Sequence, residues 1–184
     1  MGVDGEVKAR AVFLDRDGVL NAAVVRDGRP YSPPSAEALE LLPGVRAALD
    51  ELKRAGFVLL VVTNQPDVGR GKQTREAVEG IHARLRTELP VDAIYSCYHD
   101  DADQCACRKP APGLLLEGAR EWGVDVGASF MVGDRWRDIE AGQNAGCKTV
   151  WIDRGYAEKQ PQGQDFRAES LREAVEWILE RATV

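Results

Sequence analysis

The chain of 184 residues sets 24 Lys and Arg against 30 Asp and Glu, a formal net charge of −6 that argues against a nucleic-acid backbone as partner. With 44% hydrophobic and 29% charged residues it has the usage of an ordered globular protein, long enough to bury a core. The longest apolar run, residues 57–62, falls far short of the roughly 20 residues a membrane span needs, and residues 1–10 lack the apolar stretch of a leader.

The expectation is therefore one cytoplasmic domain over residues 1–184, without membrane or nucleic-acid partners and, in the absence of heptads, a monomer. In chain order, Ala11–Leu14 reads as a buried strand that ends at Asp15-Arg16-Asp17-Gly18. Residues 21–43, with Gly28, Pro30, Pro33 and Pro34, predict a loop with at most a short helix, placed where a substrate could sit. Val45, Leu49 and Leu52 share one helical face, and Gly56 is placed to stop that helix. A second strand over 57–62 ends at Thr63-Asn64. Thr74 caps a helix striped by Val78, Ile81 and Leu85, and a third strand covers 93–95. Pro112 opens a helix through Leu115, Ala119 and Trp122, with Gly123 as its stop. Strands over 130–132 and 149–152 lead into Gly133-Asp134 and Asp153. The polar stretch 154–169 predicts a surface connection, and Ser170 and Glu173 have capping-box spacing ahead of a last helix through Leu171, Ala174, Ile178 and Ala182. Short uninterrupted apolar runs suit strands buried on both faces, so the alternation predicts an α/β fold: a Rossmann-like, mainly parallel sheet flanked by helices. The gaps between the first three strands are too short for a folded cap.

In such sheets ligands gather at the carboxyl ends of the strands. Here those ends bring together Asp15, Asp17 and Asp134, with Thr63 and Asn64 between them. Singly, an Asp there is more often a helix cap or a turn residue, and a lone Lys is solvated. Jointly, clustered carboxylates require a cation, and hard oxygen donors suit Mg²⁺. Arg108-Lys109 supplies positive charge to balance a phosphate.

The four runs FLDRDGVLN, VVTNQ, CRKPAPG and MVGDRWRDIEAG, met in this order, resemble the signature motifs of the haloacid dehalogenase-like phosphatases. The DRDG opening resembles the branch holding histidinol-phosphate and heptose-bisphosphate phosphatases. The resemblance implies a phosphomonoester hydrolase with Asp15 as the nucleophile that carries an aspartyl-phosphate and Asp17 as the acid/base. An ordinary Asp has a pKa of about 3.9, so the site must keep Asp17 protonated long enough to donate. It further implies that Asp15, the backbone carbonyl of Asp17 and Asp134 hold Mg²⁺, and that Thr63 and Lys109 hold phosphoryl oxygens. Arg16, Asn21, Thr63, Asn64, Gln65, Pro66, Arg108, Lys109 and Arg135 are the implied substrate contacts. Asp138 either orients Lys109 or the metal shell, or is a plain helix-start acid.

Cys97-x-His99-x5-Cys105-x-Cys107 offers three thiolates and an imidazole, a tetrahedral set for Zn²⁺ that leaves no open position, so the zinc is structural. Redox chemistry at Cys105 and Cys107, or independent buried thiols, would leave His99 unexplained. The same knot resembles the zinc-binding loop of the branch, and it lies just before Arg108-Lys109, whose placement it would fix. Cys147 reads as a small core residue and His82 as a surface or packing residue. Residues 69–74 imitate a P-loop but lack its first glycine and its Ser/Thr. Arg70 and Lys72 remain candidate anion contacts.

The stretches TNQPDVGRGK and CRKPAPG look most like heptose-bisphosphate members of the branch, whose substrate is a small phosphorylated sugar. A second phosphate would meet Arg108, Arg70 and Arg135. The x5 spacing between His99 and Cys105 instead resembles the histidinol-phosphate members, which stay the alternative. A zinc-stapled binding module without catalysis is a competing class, against which the intact Asp15, Asp17, Lys109 and Asp134 argue. A phosphotransferase or mutase would need a cap to exclude water.

Overall fold

The structure, a computed structural model, describes residues 8–182, so most of the segment read for a leader lies outside the described residues. In chain order the elements are β1 (Ala11–Leu14), β2 (Val24–Arg26), β3 (Arg29–Tyr31), α1 (Val45–Arg54), β4 (Val58–Asn64), α2 (Pro66–Gly69) and α3 (Arg75–Glu88). They continue as β5 (Ala93–Cys97), α4 (Gly113–Glu121), β6 (Phe130–Gly133), α5 (Trp136–Ala145), β7 (Lys148–Ile152), β8 (Phe166–Ala168) and α6 (Leu171–Ala182).

Six strands form one sheet in the order β5-β4-β1-β6-β7-β8, and every pairing in it is parallel. Side chains alternate across the pleat. Val12, Leu14, Leu59, Val61, Phe130 and Val132 face one core with α1, α3 and α6, while Ala11, Phe13, Leu60, Val62 and Met131 face the other with α4 and α5. Both faces are covered, which is why β1 is buried at all four positions and reads as an unbroken apolar run.

The helix ends follow the expected chemistry. Thr74 accepts a hydrogen bond from Ala77 N at 3.1 Å, and Ser170 Oγ accepts one from Glu173 N at 3.2 Å. Gly56 leaves α1 at φ 84°, a backbone that side chains resist.

Two segments differ from their expectation. Residues 21–43 contain no helix; Val24–Arg26 and Arg29–Tyr31 pair as an antiparallel hairpin. Asp27 and Gly28 make its two-residue turn, both at positive φ (49° and 72°), the turn whose twist matches the flanking strands. The polar stretch 154–169 is not wholly a surface connection, because its end supplies β8 to the sheet edge, with Ala168 buried. Three residues with one exposed position carry too little periodicity to stand out. No helix among the described residues is long and apolar enough to cross a membrane.

Phe130 joins the sheet to the packing beneath it: its ring is edge-on to Phe57 at 6.0 Å and to Trp177 at 6.1 Å, and Trp177 stacks on Phe166 at 5.2 Å. Phe130→Ala should lower unfolding stability by about 3–5 kcal/mol, read from urea denaturation.

Candidate active site

From β1 the strand order runs outward through β4 to β5, and from β6 it runs the other way through β7 to β8. The reversal between β1 and β6 is a topological switch point, where the loops after the two strands part and leave a crevice. Asp15 follows β1, with its N–H on Val132 O at 3.0 Å, and Asp134 follows β6. A cavity of about 330 Å³ opens there, within the range of small-molecule sites. No cap covers it. The hairpin contributes Arg29, Pro30 and Tyr31 to its wall, and Ser32 follows.

At its floor Lys109, itself 1% exposed, places Nζ 2.7 Å from Asp15 Oδ1, 2.7 Å from Asp138 Oδ1 and 2.7 Å from Val62 O. Asn64 grips the Lys109 peptide from both sides, donating to its carbonyl at 3.0 Å and accepting from its N–H at 3.1 Å. Asp138 is both of the things the sequence allows: its Oδ1 pairs with Lys109 and its Oδ2 accepts from Arg135 N at 3.0 Å at the start of α5.

Asp15, Asp134 and Asp138 each offer an oxygen, all within 4.8 Å of one another, and all three are buried. One ammonium against three carboxylates leaves two negative charges uncompensated. Burial, and after it the charge of Asp138, pushes Asp15 up to about 6 in spite of Lys109. Burial and then Asp15 push Asp134 well above the usual carboxylate range. Asp134 Oδ1 is buried and has no hydrogen-bond partner. Since both oxygens of Asp138 are engaged, Asp15 and Asp134 are the pair free to meet a divalent cation, and hard carboxylate oxygens fit Mg²⁺.

Asp17 also lines the cavity, but its carboxylate stands outside this acid cluster. Its carboxylate accepts from Arg16 Nε at 3.1 Å and Nη2 at 3.0 Å, from Asn21 Nδ2 at 2.9 Å and from Gln65 Nε2 at 3.1 Å. Ser32 Oγ lies 2.7 Å from both Asp17 Oδ2 and Gln65 Oε1, so its single proton serves one of them at a time. Burial alone would raise the Asp17 carboxyl, but the Arg16 guanidinium outweighs it, with Asn21 and Ser32 adding, and holds it below the ordinary value. In the absence of substrate this balance favours the carboxylate form of Asp17. Arg16 is 0% exposed and backed by His82, whose Nε2 lies 3.0 Å from its Nη1. Burial and then Arg16 push that imidazole down to about 4, so it is neutral at pH 7. His82 is buried rather than on the surface. Arg16 and Asn21, expected among substrate contacts, do not line the cavity, whereas Thr63, Asn64, Gln65, Pro66, Arg108, Lys109 and Arg135 do.

Beyond β5 the knot closes. Cys97 Sγ lies 3.6 Å from His99 Nδ1, 3.6 Å from Cys105 Sγ and 2.9 Å from Cys107 Sγ, with Cys107 Sγ 3.4 Å from Cys105 Sγ. A tetrahedral zinc with its usual bond lengths sets donors about 3.5–3.8 Å apart; all but the closer Cys97–Cys107 spacing lie near this, and the set could hold zinc. Between its ligands the acids Asp100 and Asp101 reach out. Asp100 takes Arg70 in a bidentate pair at 2.8 and 2.6 Å, and Asp101 holds Arg108 at 2.8 Å and Arg137 at 3.1 Å. Arg135 is paired with Glu158. Of the cations lining the cavity, Arg29 makes no ion pair among the described residues. No motif pointed to Ser32, Arg29 or Tyr156, whose hydroxyl bonds to Asp134 Oδ2. Arg29 opens a three-residue strand, and Ser32 and Tyr156 stand in loops, so none of them falls in a stretch long enough to carry a period.

The haloacid dehalogenase-like hydrolase profile matches residues 33–146. The chain is 34% identical over 175 residues to the D-glycero-beta-D-manno-heptose-1,7-bisphosphate 7-phosphatase of Helicobacter pylori, covering 92% of this chain and 97% of that protein. It is 35% identical to the D-glycero-D-manno-heptose-1,7-bisphosphate 7-phosphatase of Thermosynechococcus vestitus, over 91% of this chain and 94% of the relative. The crystal structure of D,D-heptose 1,7-bisphosphate phosphatase from B. bronchiseptica, complexed with magnesium and phosphate, superposes with a TM-score of 0.80 at 32% identity, covering 94% of this chain and 99% of its own. With its carboxylates placed at the switch point as the motifs require, the chain belongs to the haloacid dehalogenase-like hydrolases.

Proposed function

We propose that the chain is a Mg²⁺-dependent phosphatase that removes the 7-phosphate of D-glycero-D-manno-heptose 1,7-bisphosphate. The observation that carries this reading is the buried Asp15–Lys109–Asp138 cluster beside an Asp134 oxygen without a donor. In this reading it works as a single domain and a monomer in the cytoplasm, on a small phosphorylated sugar. Asp15, Asp134 and the backbone carbonyl of Asp17 would hold the metal. Magnesium, when bound, supplies the charge that lets an anionic phosphoryl group approach a carboxylate.

Thr63 and Lys109 hold phosphoryl oxygens while Asp15 attacks phosphorus; the Asp15–phosphorus bond forms as the bond to the sugar oxygen breaks. Asp17 gives its proton to the departing alkoxide and later takes one from the water that attacks the aspartyl-phosphate, which frees phosphate and restores Asp15. In the free protein the Arg16 fork holds Asp17 as a carboxylate. The negative charge of the arriving phosphoryl group raises the affinity of Asp17 for the proton it then donates. The site has no cap, so water reaches the intermediate and hydrolysis is favoured over transfer. For the second phosphate the sequence offered Arg70, Arg108 and Arg135, but each is held by a carboxylate; among the described residues that line the cavity, Arg29 on the hairpin is the cation without an ion pair and would meet it. Cys97, His99, Cys105 and Cys107 would hold a structural zinc.

Phosphate release with Mg²⁺ from both anomers of heptose 1,7-bisphosphate and from histidinol phosphate tests the reading, with Asp15→Asn as blank. One heptose anomer should show a large advantage in kcat/KM and Asp15→Asn should fall to background; a preference for histidinol phosphate would overturn the substrate. Arg29→Ala should raise KM for the bisphosphate about tenfold and leave a monophosphate almost unchanged. Metal analysis should find about one zinc per chain, and Cys105→Ser should lose it together with thermal stability.

A further inference from the structure

After β7 the chain does not leave the site. Residues 154–158 cross its rim as a strap whose alternate side chains grip different catalytic elements. Arg154 Nε donates to Gly18 O at 2.9 Å, Tyr156 Oη donates to Asp134 Oδ2 at 2.7 Å, and Glu158 takes Arg135 Nε at 2.9 and 3.1 Å. Between them Ala157 N donates to Gly28 O at 2.8 Å, which ties the strap to the turn of the hairpin. One short segment thus fastens the loop after β1, the loop after β6 and the wall of the cavity.

We propose that Tyr156 is a positioning residue for the magnesium site: its hydroxyl engages Asp134 Oδ2 and leaves Oδ1 turned to the metal. This rests on the metal reading given above. A carboxylate can meet a cation through either oxygen or both, and which it uses depends on what holds the other. At Asp134 the two oxygens have unequal surroundings, since Oδ2 has a donor and the buried Oδ1 has none. A buried acceptor without a donor is costly unless a cation meets it. The backbone of Asp134 is gripped as well, its carbonyl accepting from Trp151 Nε1 at 3.1 Å, so neither the peptide nor the carboxylate is left to turn.

Room for this contact comes from Gly18. A Cβ there would overlap Asp134 Oδ2 and come within 2.8 Å of Tyr156 Oη, and the backbone at φ 84° is one that glycine adopts readily. A phenolic hydroxyl ordinarily keeps its proton at neutral pH, so Tyr156 is the donor and Asp134 Oδ2 the acceptor.

Calorimetric titration of the zinc-loaded protein with magnesium, wild type beside Tyr156→Phe, tests the assignment. The Phe variant should keep the thermal midpoint of the magnesium-free protein and bind magnesium about tenfold more weakly. The magnesium concentration for half-maximal activity should rise in the same proportion, and kcat at saturating magnesium should recover most of its value. Equal magnesium affinity in the two proteins would overturn the role of Tyr156 and leave the metal reading standing. A wild type that binds no magnesium would overturn both.

Discussion

Lys109 carries the ammonium that allows Asp15 and Asp138 to lie buried side by side, and most of the site is arranged to hold it there. Its Nζ is shared by two carboxylates and the Val62 carbonyl, and its peptide is clamped by Asn64 at the end of β4. A buried ammonium without such partners would lose its proton, and the carboxylates without it would repel one another and protonate. With it the cluster is still short of positive charge. That deficit makes the crevice a place for a divalent cation and a phosphoryl group. The same contact links the strands: Asp15 comes from β1, Lys109 from the loop after β5 and Asp138 from α5, so the electrostatics of the site and the closure of the fold are one arrangement.

Around this centre the positive rim is built at second hand. Arg70, Arg108 and Arg137 are aimed by Asp100 and Asp101, and those acids stand between the cysteine and histidine ligands of the knot. A metal there would stiffen the backbone that presents two carboxylates, which in turn fix three guanidinium groups. Residues 100–104, mostly acidic, have no apolar core of their own, and a metal in the knot would hold their shape. Held in this way, the three guanidinium groups line the cavity at fixed places rather than standing free.

How far the sequence speaks depends on whether a residue's role is periodic or positional. Asp15, Thr63 and Asp134 are legible because each ends an apolar run, and the parallel sheet sends all such ends to one edge. The knot is legible because four soft donors crowd into one loop. The hairpin escapes notice because Pro30 within it and Pro33 and Pro34 just after it resemble loop chemistry, although Val24 and Val25 ahead of Asp27-Gly28 carry a short hairpin signal. β8 is three residues long. Tyr156 and Ser32 work through a single contact each, and a single contact leaves no pattern. The state of Asp17 was out of reach for a different reason: its charge is set by five donor atoms from four residues, and only the folded chain places Ser32 and Gln65 beside Arg16.

β1 is made first and lies in the middle of the sheet, with β4 on one side and β6 on the other. During synthesis Asp15, at the end of β1, therefore emerges long before Lys109, Asp134 and Asp138. A nascent chain that ends ahead of β6 has Lys109 but neither Asp134 nor Asp138, and it has one open edge on β1. Such a chain holds a carboxylate with no metal partner and a lysine with half its counter-charge, so it has no competent phosphoryl site. The acid cluster is complete only when β6 and α5 have joined β1, so it depends on a sequence-distant half of the chain rather than on the strand that carries Asp15.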